Sequence, residues 1–128
     1  MGALSVVIVM VTETKGKHVH FTDVAAEPVE IDGARDVLIR WLIAKDDGAE
    51  NFAMRLFDVK PGGHTPLHQH DWEHEVFIVT GSGELRDKDG KESFQKGDVI
   101  FVPSMKWHQF VNTDEELLQF ICVIPYKA

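Results

Sequence analysis

Four histidines fall within eleven consecutive positions of the chain, at His64, His68, His70 and His74. The whole chain has seven histidines, so more than half of them lie in this one segment, GGHTPLHQHDWEHEVFIVTGSG. Imidazole is the side chain that most often binds transition metals in proteins. The clustering therefore raises the question of whether these rings act together on a metal ion.

The spacing of these histidines suggests that several of them face the same way. Residues two apart in a strand point to the same face of a sheet, so His68 and His70 project together. A more distant histidine, His108 in KWHQFV, shares parity with Phe110. A lone histidine is more often an ordinary surface or core residue. Three or four that converge in an apolar cavity have few roles other than metal binding.

The histidines also belong to two longer spaced patterns. These are Gly62-x5-His68-x-His70-x3-His74-x6-Gly81 and Gly97-x5-Pro103-x4-His108-x3-Asn112. The pair resembles the two signature motifs of the cupin superfamily, over about residues 50–125. From about residue 37 to residue 125 the chain looks closest to the small single-domain cupins with a four-histidine manganese site.

This resemblance implies an all-β fold, a double-stranded β-helix or jelly-roll cupin barrel. It implies one domain over residues 1–128, with the barrel core at 50–125. Residues 1–20 would form an N-terminal strand extension that can be exchanged in a homodimer. The implied metal ligands are His68, His70, His74 and His108.

Two departures from the family patterns concern the ligands and a turn. The usual acidic ligand of the first motif is replaced, because His74 and Glu75 occupy its two alternative spacings and adjacent strand residues face opposite ways. His74 keeps the family distance to Gly81 and shares parity with Val76, so the resemblance assigns His74 as the ligand and leaves Glu75 outside the first shell. In the second motif Met105 replaces a glycine, which puts the local turn geometry in doubt.

Four neutral imidazoles would leave the 2+ charge of the metal uncompensated and two coordination positions open. Such a site favours anionic or enolate-like guests. Manganese or iron suits redox use of the open positions, whereas nickel and zinc often bind nitrogen sites more tightly and are candidates for the metal of the isolated protein.

The leading functional hypothesis is a mononuclear metal-dependent oxidoreductase of dioxygenase type that acts on a small molecule. A non-catalytic small-ligand-binding cupin and a metal-dependent isomerase are the alternatives. An isomerase needs an ionisable group beside the metal, and His64 is the candidate by parity, although it is equally well explained as an exposed loop residue.

Other residues have more than one interpretation. Phe120 and Cys122 share a face of the last strand, so both enter the barrel or both leave it, and they are assigned to the pocket with Phe110. Inside the barrel they either fill the core or place a thiol near the metal. Trp72 either covers the site or anchors the loop. His18 and His20 alternate on an early strand and are expected at an exposed edge.

Short apolar runs separated by turn signals must position these residues. The runs are DVLIRWLIA, FAMRLFDV, EVFIVTG, DVIFVP, WHQFVN and LLQFICVIP. They are rich in Val, Ile and Phe, and turn pairs such as Asp89-Gly90 divide them. Residues 113–117 are expected to form a polar hairpin turn. The pattern is typical of an all-β sandwich or barrel.

Composition limits the classes of partner. The formal net charge is −8, which argues against nucleic acid and against an anionic membrane surface. The single cysteine, Cys122, excludes an internal disulfide and a cysteine-based zinc site, and this favours a reducing, cytoplasmic location. A small-molecule substrate and a homodimer are the expected partners.

The apolar N-terminal run GALSVVIVMV, residues 2–11, is too short to span a bilayer, which needs about 20 residues. Its Val and Ile content predicts a strand. Met10 is an alternative start, so residues 1–9 need not belong to the natural chain.

Overall fold

The computed structural model describes residues 16–126 of the chain. Two single-turn 3₁₀ helices form at Phe21–Asp23 and Lys45–Asp47. The strands are β1 (Glu27–Pro28), β2 (Arg35–Ile43), β3 (Phe52–His64), β4 (His74–Thr80), β5 (Ser82–Arg86), β6 (Lys91–Gln95), β7 (Val99–Val102), β8 (Gln109–Val111) and β9 (Leu118–Pro125).

The strands form one curled antiparallel sheet in the order β6-β5-β8-β3-β9-β4-β7. Strand β3 spans 13 residues, which is long enough to pair with β2 along one edge and with β8 and β9 along the other. Strand β1 pairs with the outer edge of β2. This architecture confirms the predicted all-β jelly-roll barrel.

The interior of the barrel is built from alternating residues of its strands. In β4 His74, Val76 and Ile78 are buried while Glu75 and Phe77 are exposed. In β9 the buried positions are Leu118, Phe120 and Cys122. Because side chains alternate across a strand, this register places His74 and Cys122 on the same inner wall.

Backbone hydrogen bonds join the two histidine-bearing segments, which are 40 residues apart in sequence. His68 and His108 form an isolated antiparallel bridge. The His68 N–H donates to the His108 carbonyl at 3.1 Å, and the His108 N–H donates to the His68 carbonyl at 2.9 Å. The Met105 N–H donates to the His70 carbonyl at 2.7 Å. The fold therefore fixes the relative positions of the histidines through the main chain as well as through packing.

Two glycines near the turn after β4 are required by close backbone approach. Gly81 has a φ of +89°, and a Cβ there would lie 2.7 Å from the Leu117 carbonyl oxygen. A Cβ on Gly83 would collide with the Val111 carbonyl oxygen. Gly81 is the last glycine of the first spaced pattern, and the structure gives it this steric role.

The six apolar runs all form strands, but three further strands were not predicted. Strands β5 and β6 are rich in charge, and their buried residues are Gly83 and Phe94, so their sequence lacks the apolar alternation that identifies a half-buried strand. Strand β1 has two residues. The sequence Pro61-Gly62-Gly63 carries the turn signals that also divide the other runs, and the turn predicted from them is wrong, because β3 continues through these residues with Gly62 at a φ of +79°. Residues 113–117 connect β8 to β9 through a bend at 114–116. The predicted hairpin is wrong, because β8 pairs with β3 and β5 whereas β9 pairs with β3 and β4.

The predicted N-terminal strand lies within residues 1–15, outside the described residues. Residues 16–20 are exposed and belong to no strand. The prediction of an early strand at His18 and His20 is therefore wrong, although their surface position is confirmed. His20 instead caps the first 3₁₀ helix, with its Nδ1 accepting the Thr22 N–H at 3.3 Å.

An apolar patch covers the outer face near the free edge of β7. Val99 is 77% exposed and Phe101 57% exposed, and Phe77 of β4 lies beside them. The expected homodimer stays a prediction. None of the helices formed by the described residues has the length and apolarity needed to cross a bilayer.

Candidate metal centre and cavity

Four imidazole rings converge on one region inside the barrel. The ring centroids of His68 and His70 lie 5.0 Å apart, and that of His108 lies 4.7 Å from His68 and 4.9 Å from His70. These three residues offer ligand nitrogens that all lie within 4.8 Å of one another. The His74 ring lies 4.4 Å from that of His70. Three of the predicted ligands therefore form a group that can hold a metal ion, and the fourth is adjacent.

The hydrogen bonding of His108 leaves one ring nitrogen directed at this group. Its Nδ1 lies 2.8 Å from the Lys106 carbonyl oxygen, and because a carbonyl can only accept, Nδ1 carries the proton. The Nε2 of the neutral ring then has a free lone pair. That atom is buried and has no hydrogen-bond partner, which is rare for a buried polar atom and fits a metal ligand held by an outer carbonyl.

His70 has the same arrangement on the loop between β3 and β4. Its Nδ1 donates to the Trp72 carbonyl oxygen at 3.3 Å, which leaves Nε2 as the unprotonated nitrogen. The Trp72 indole stacks on the ring with centroids 4.2 Å apart and planes 3° apart. Trp72 thus packs directly against a predicted ligand and fixes the orientation of its ring.

Burial keeps these rings neutral. Burial, with a smaller contribution from neighbouring rings and Arg55, lowers the pKa of His68 to about 4 and that of His74 to about 2. Burial also lowers the pKa of His70 and His108. Histidine must be unprotonated to bind a metal, so the environment favours the ligand form of all four rings near neutral pH.

His74 makes contacts through both ring nitrogens. Its Nε2 lies 2.6 Å from the His70 Nε2, and its Nδ1 lies 2.8 Å from the Cys122 Sγ and 3.4 Å from an Arg55 Nη. A proton on Nε2 would be donated to His70, whereas a proton on Nδ1 would be donated to the sulfur and would leave Nε2 free for a metal. His74 as the fourth ligand therefore stays a prediction. Glu75 points out of the barrel and is exposed.

The histidines open onto a cavity of about 370 Å³. Its apolar wall includes Val37, Ile39, Trp41, Phe57, Phe110 and Phe120. The buried Cys122 thiol also faces it, and burial raises the pKa of this thiol against the opposing effect of Arg55. A mostly apolar cavity with a few converging polar groups is typical of a small-molecule site.

Some of the other predicted site residues line the cavity and one does not. Phe110, Phe120 and Cys122 line the cavity, as does the predicted ligand His108. His64 is half-buried at the end of β3, where its Nδ1 lies 3.4 Å from the Gln109 Nε2, and it is not among the residues that line the cavity. The described cavity lining therefore lacks the acid–base group that the isomerase alternative assigned to His64.

Arg55 is a cavity residue that the sequence reasoning missed. It lies in β3 between Ala53 and Phe57, which are both buried, and it lines the cavity beside His74. Its parity with those two residues is visible in the sequence and could have located it. Arginine is almost never buried unless it is paired, so the charge of Arg55 argued against an inward orientation.

Met105 confirms that the substituted glycine position has unusual backbone geometry. Its φ is +67°, in the left-handed region that glycine adopts without steric cost. The side chain is 52% exposed, so nothing buried depends on it. The turn keeps its shape despite the substitution, and the Met105 N–H still reaches the His70 carbonyl.

Known proteins share this fold and much of this sequence. The polyketide cyclase RemF from Streptomyces resistomycificus superposes with a TM-score of 0.83 at 39% identity, covering 88% of this chain and 81% of that one. The oxalate-binding protein of Thermotoga maritima is 32% identical over 96 residues, which are 72% of this chain and 78% of that protein.

A third relative is matched over a shorter stretch. The 1-methylthio-D-xylulose 5-phosphate methylsulfurylase of Rhodospirillum rubrum is 34% identical over 71 residues, 56% of this chain and 46% of that protein. The match thus spans less than half the length of that relative. The Cupin domain family, Cupin_2, matches residues 55–124, a range that contains all four clustered histidines. With the barrel and both spaced patterns in place, the chain belongs to the cupin family.

Proposed function

We propose that this cupin is a metal-dependent enzyme that closes a ring in a carbonyl-bearing, largely hydrocarbon small molecule, as a polyketide cyclase does. The observation that carries the proposal is the buried, unpartnered Nε2 of His108 at the inner end of an apolar cavity. The similarity to RemF over most of both chains supports this reaction class.

The proposed ligands of a single divalent metal are His68, His70 and His108, with His74 as the fourth. When bound, the metal would act as a Lewis acid, polarising a ketone oxygen and making the adjacent C–H more acidic. Manganese or iron is the metal that suits redox use of the open positions, whereas nickel or zinc is the metal that four nitrogens bind more tightly.

The protein's own residues would orient the substrate and the ligands. The carbonyls of Lys106 and Trp72 hold the Nδ1 protons of His108 and His70, so the Nε2 lone pairs stay directed inward. The aromatic wall formed by Trp41, Phe57 and Phe120 would hold a folded carbon chain and exclude water. Bringing two reacting carbons together in this way is worth a large part of the barrier to ring closure.

A dioxygenase-type oxidoreductase is the second candidate, and the ligand chemistry favours it. A neutral all-imidazole donor set can hold redox-active Mn²⁺ or Fe²⁺, although it binds Zn²⁺ more tightly, and it would leave positions open for dioxygen. The two reactions differ in their need for electron transfer, because Zn²⁺ has no accessible redox change.

The test is to remove the metal and to reload separate samples with Mn²⁺, Fe²⁺ or Zn²⁺. Each sample is then given a linear poly-β-ketone, or an electron-rich diphenol, with oxygen uptake and products followed together. We expect ring closure with all three metals and no oxygen uptake. Oxygen uptake with Mn²⁺ or Fe²⁺ and none with Zn²⁺ would support the dioxygenase instead. Tight binding of a small ligand such as oxalate, with no turnover under any condition, would favour the non-catalytic alternative.

A further inference from the structure

Arg55 places a positive charge in the wall of the cavity next to the histidines. It lies on β3 directly across from Trp41 of β2. Its guanidinium carbon sits 4.9 Å from the centre of the Phe57 ring and 5.6 Å from that of Trp41. Two aromatic faces thus hold the side chain in place, which reduces the conformational entropy lost when a ligand binds to it.

No carboxylate of the described residues forms an ion pair with Arg55. Each of the other three arginines has one: Arg35 with Asp36 at 3.9 Å, Arg40 with Asp58 at 3.0 Å and Arg86 with Glu84 at 2.7 Å. The described contacts of Arg55 are an Nη 3.0 Å from the Cys122 Sγ and 3.4 Å from the His74 Nδ1. Its Nε is buried and has no hydrogen-bond partner.

An uncompensated guanidinium in an apolar cavity is costly, and the cost is recovered when an anion binds. The charge of Arg55 acts on neighbouring groups, because it contributes to the lowered pKa values of His68 and His74. The cavity lining also includes the carboxylate of Glu30, but Glu30 is exposed and forms no ion pair with Arg55 among the described residues. Low-dielectric walls focus the field of Arg55 onto a ligand.

We propose that Arg55 binds a carboxylate of the substrate, so that the cavity selects carbonyl-bearing, largely hydrocarbon molecules that carry one carboxylate group. The planar guanidinium can donate two parallel N–H bonds to the two oxygens, while Phe57, Trp41 and Phe120 cover the hydrocarbon part. This deepens the ring-closure proposal and rests on it, because it names the substrate class of the same cavity.

The test compares a carboxylate with its neutral isostere on the full chain with its metal. Binding of 2-naphthoate and 2-naphthamide is measured by titration calorimetry. In the wild type we expect the acid to bind about 10- to 100-fold more tightly, the range of a charge-assisted bond. In Arg55→Met the ratio should fall close to one with the metal content unchanged. Arg55→Lys keeps the charge without the planar fork and should show an intermediate ratio.

Two further variants separate Arg55 from other sources of positive charge. Arg40→Met removes an arginine of the adjacent strand that is already paired with Asp58, and it should keep the wild-type ratio. His108→Ala removes a proposed metal ligand, and in that background Arg55→Met should lower the ratio by the same factor as in the wild type, because the guanidinium binds the carboxylate independently of the metal. Circular dichroism confirms that each variant is folded.

Three results would overturn the proposal. The first is equal or undetectable binding of both ligands to the wild type, and the second is an acid-to-amide affinity ratio that persists in Arg55→Met. The third is a ratio that is lost only in His108→Ala, which would assign the anion to the metal. A ratio that depends on Arg55 in a protein that closes no ring with any metal would overturn the proposed function and leave the carboxylate site standing.

Discussion

Two buried polar residues on either side of β8 have opposite hydrogen-bonding states. Asn112 is 1% exposed, and its Nδ2 donates to the Val59 and Glu116 carbonyls at 2.8 Å each while its Oδ1 accepts the Asp114 N–H at 2.9 Å. His108, four residues earlier, is 3% exposed and has a partner at Nδ1 but none at Nε2. Both residues come from the same spaced pattern, yet only one of them is fully bonded.

The difference extends beyond these two residues. Among the described residues, the buried side-chain atoms without a hydrogen-bond partner are Arg55 Nε, Trp72 Nε1 and His108 Nε2. Arg55 and His108 line the cavity, and Trp72 stacks on His70. Native proteins satisfy nearly all buried polar groups. The buried polar atoms without a partner are concentrated around the cavity, which indicates a role in ligand binding. Fully bonded residues such as Asn112 stabilise the fold.

The largest expected effect comes from removing the unbonded group. His108→Ala should weaken metal binding by at least about 100-fold, more than the loss of an outer-shell partner usually does. Metal content by elemental analysis and chelator competition measures this. His64→Ala is the matched control, because His64 lies on the same segment but does not line the cavity, and it should retain its metal. Full metal retention in His108→Ala would show that the unbonded Nε2 of His108 is not a metal ligand, and would contradict the contrast with Asn112.

His74 sharpens the comparison because both of its nitrogens have contacts. If it is the fourth ligand, His74→Ala should weaken metal binding by about 10- to 100-fold, less than His108→Ala, because His68, His70 and His108 by themselves already form a group that can hold an ion. The exposed neighbour Glu75→Ala should have no effect. Metal loss in Glu75→Ala together with retention in His74→Ala would reverse the assignment made from spacing.

Asn112→Ala tests the fully bonded side of the comparison. It would leave two carbonyls and one N–H without partners and should lower the free energy of unfolding by about 2–3 kcal/mol. Urea denaturation measures this change, and metal affinity in the folded protein should be unaltered. Asn51→Ala removes the other asparagine of the chain, which is exposed, and it should change neither the free energy of unfolding nor the metal affinity. Reduced metal affinity in folded Asn112→Ala would show that the two regions are coupled.

The smallest effect is expected at the turn that supports His70. Met105→Gly should raise the free energy of unfolding by about 0.5–1 kcal/mol, because relief of the left-handed strain exceeds the added entropy of the unfolded chain. Ser104→Gly, next to it but without a positive φ, should lower stability instead. A destabilised Met105→Gly would mean that the methionine side chain has a packing role at this surface.

Much of the fold and of the histidine cluster follows from local rules. The strand period, a property of the backbone, is enough to place His74 on one face with Val76 and Ile78, and Cys122 on one face with Phe120. Because the opposite faces of these runs are also apolar, tertiary packing decided which face points inward. The strands β5 and β6 were beyond these rules. They are held by pairing with each other and with β8, and their charged residues carry no apolar period.

For the residues that lie on strands, the sequence by itself determined which ones share a face: the parity of His74 and of Arg55 is set by covalent geometry once β4 and β3 are in place. His68 and His70 lie on the loop between those strands, and backbone hydrogen bonds to the segment of His108 position them. Only the tertiary structure decided which of those residues would find partners. Arg40 of β2 forms an ion pair with Asp58 of β3 because the two strands pair. Arg55, which is also on β3, contacts aromatic rings and a thiol instead. Hydrogen bonds and ion pairs depend on distances of a few ångströms between residues far apart in the chain, and spacing along one strand does not specify those distances.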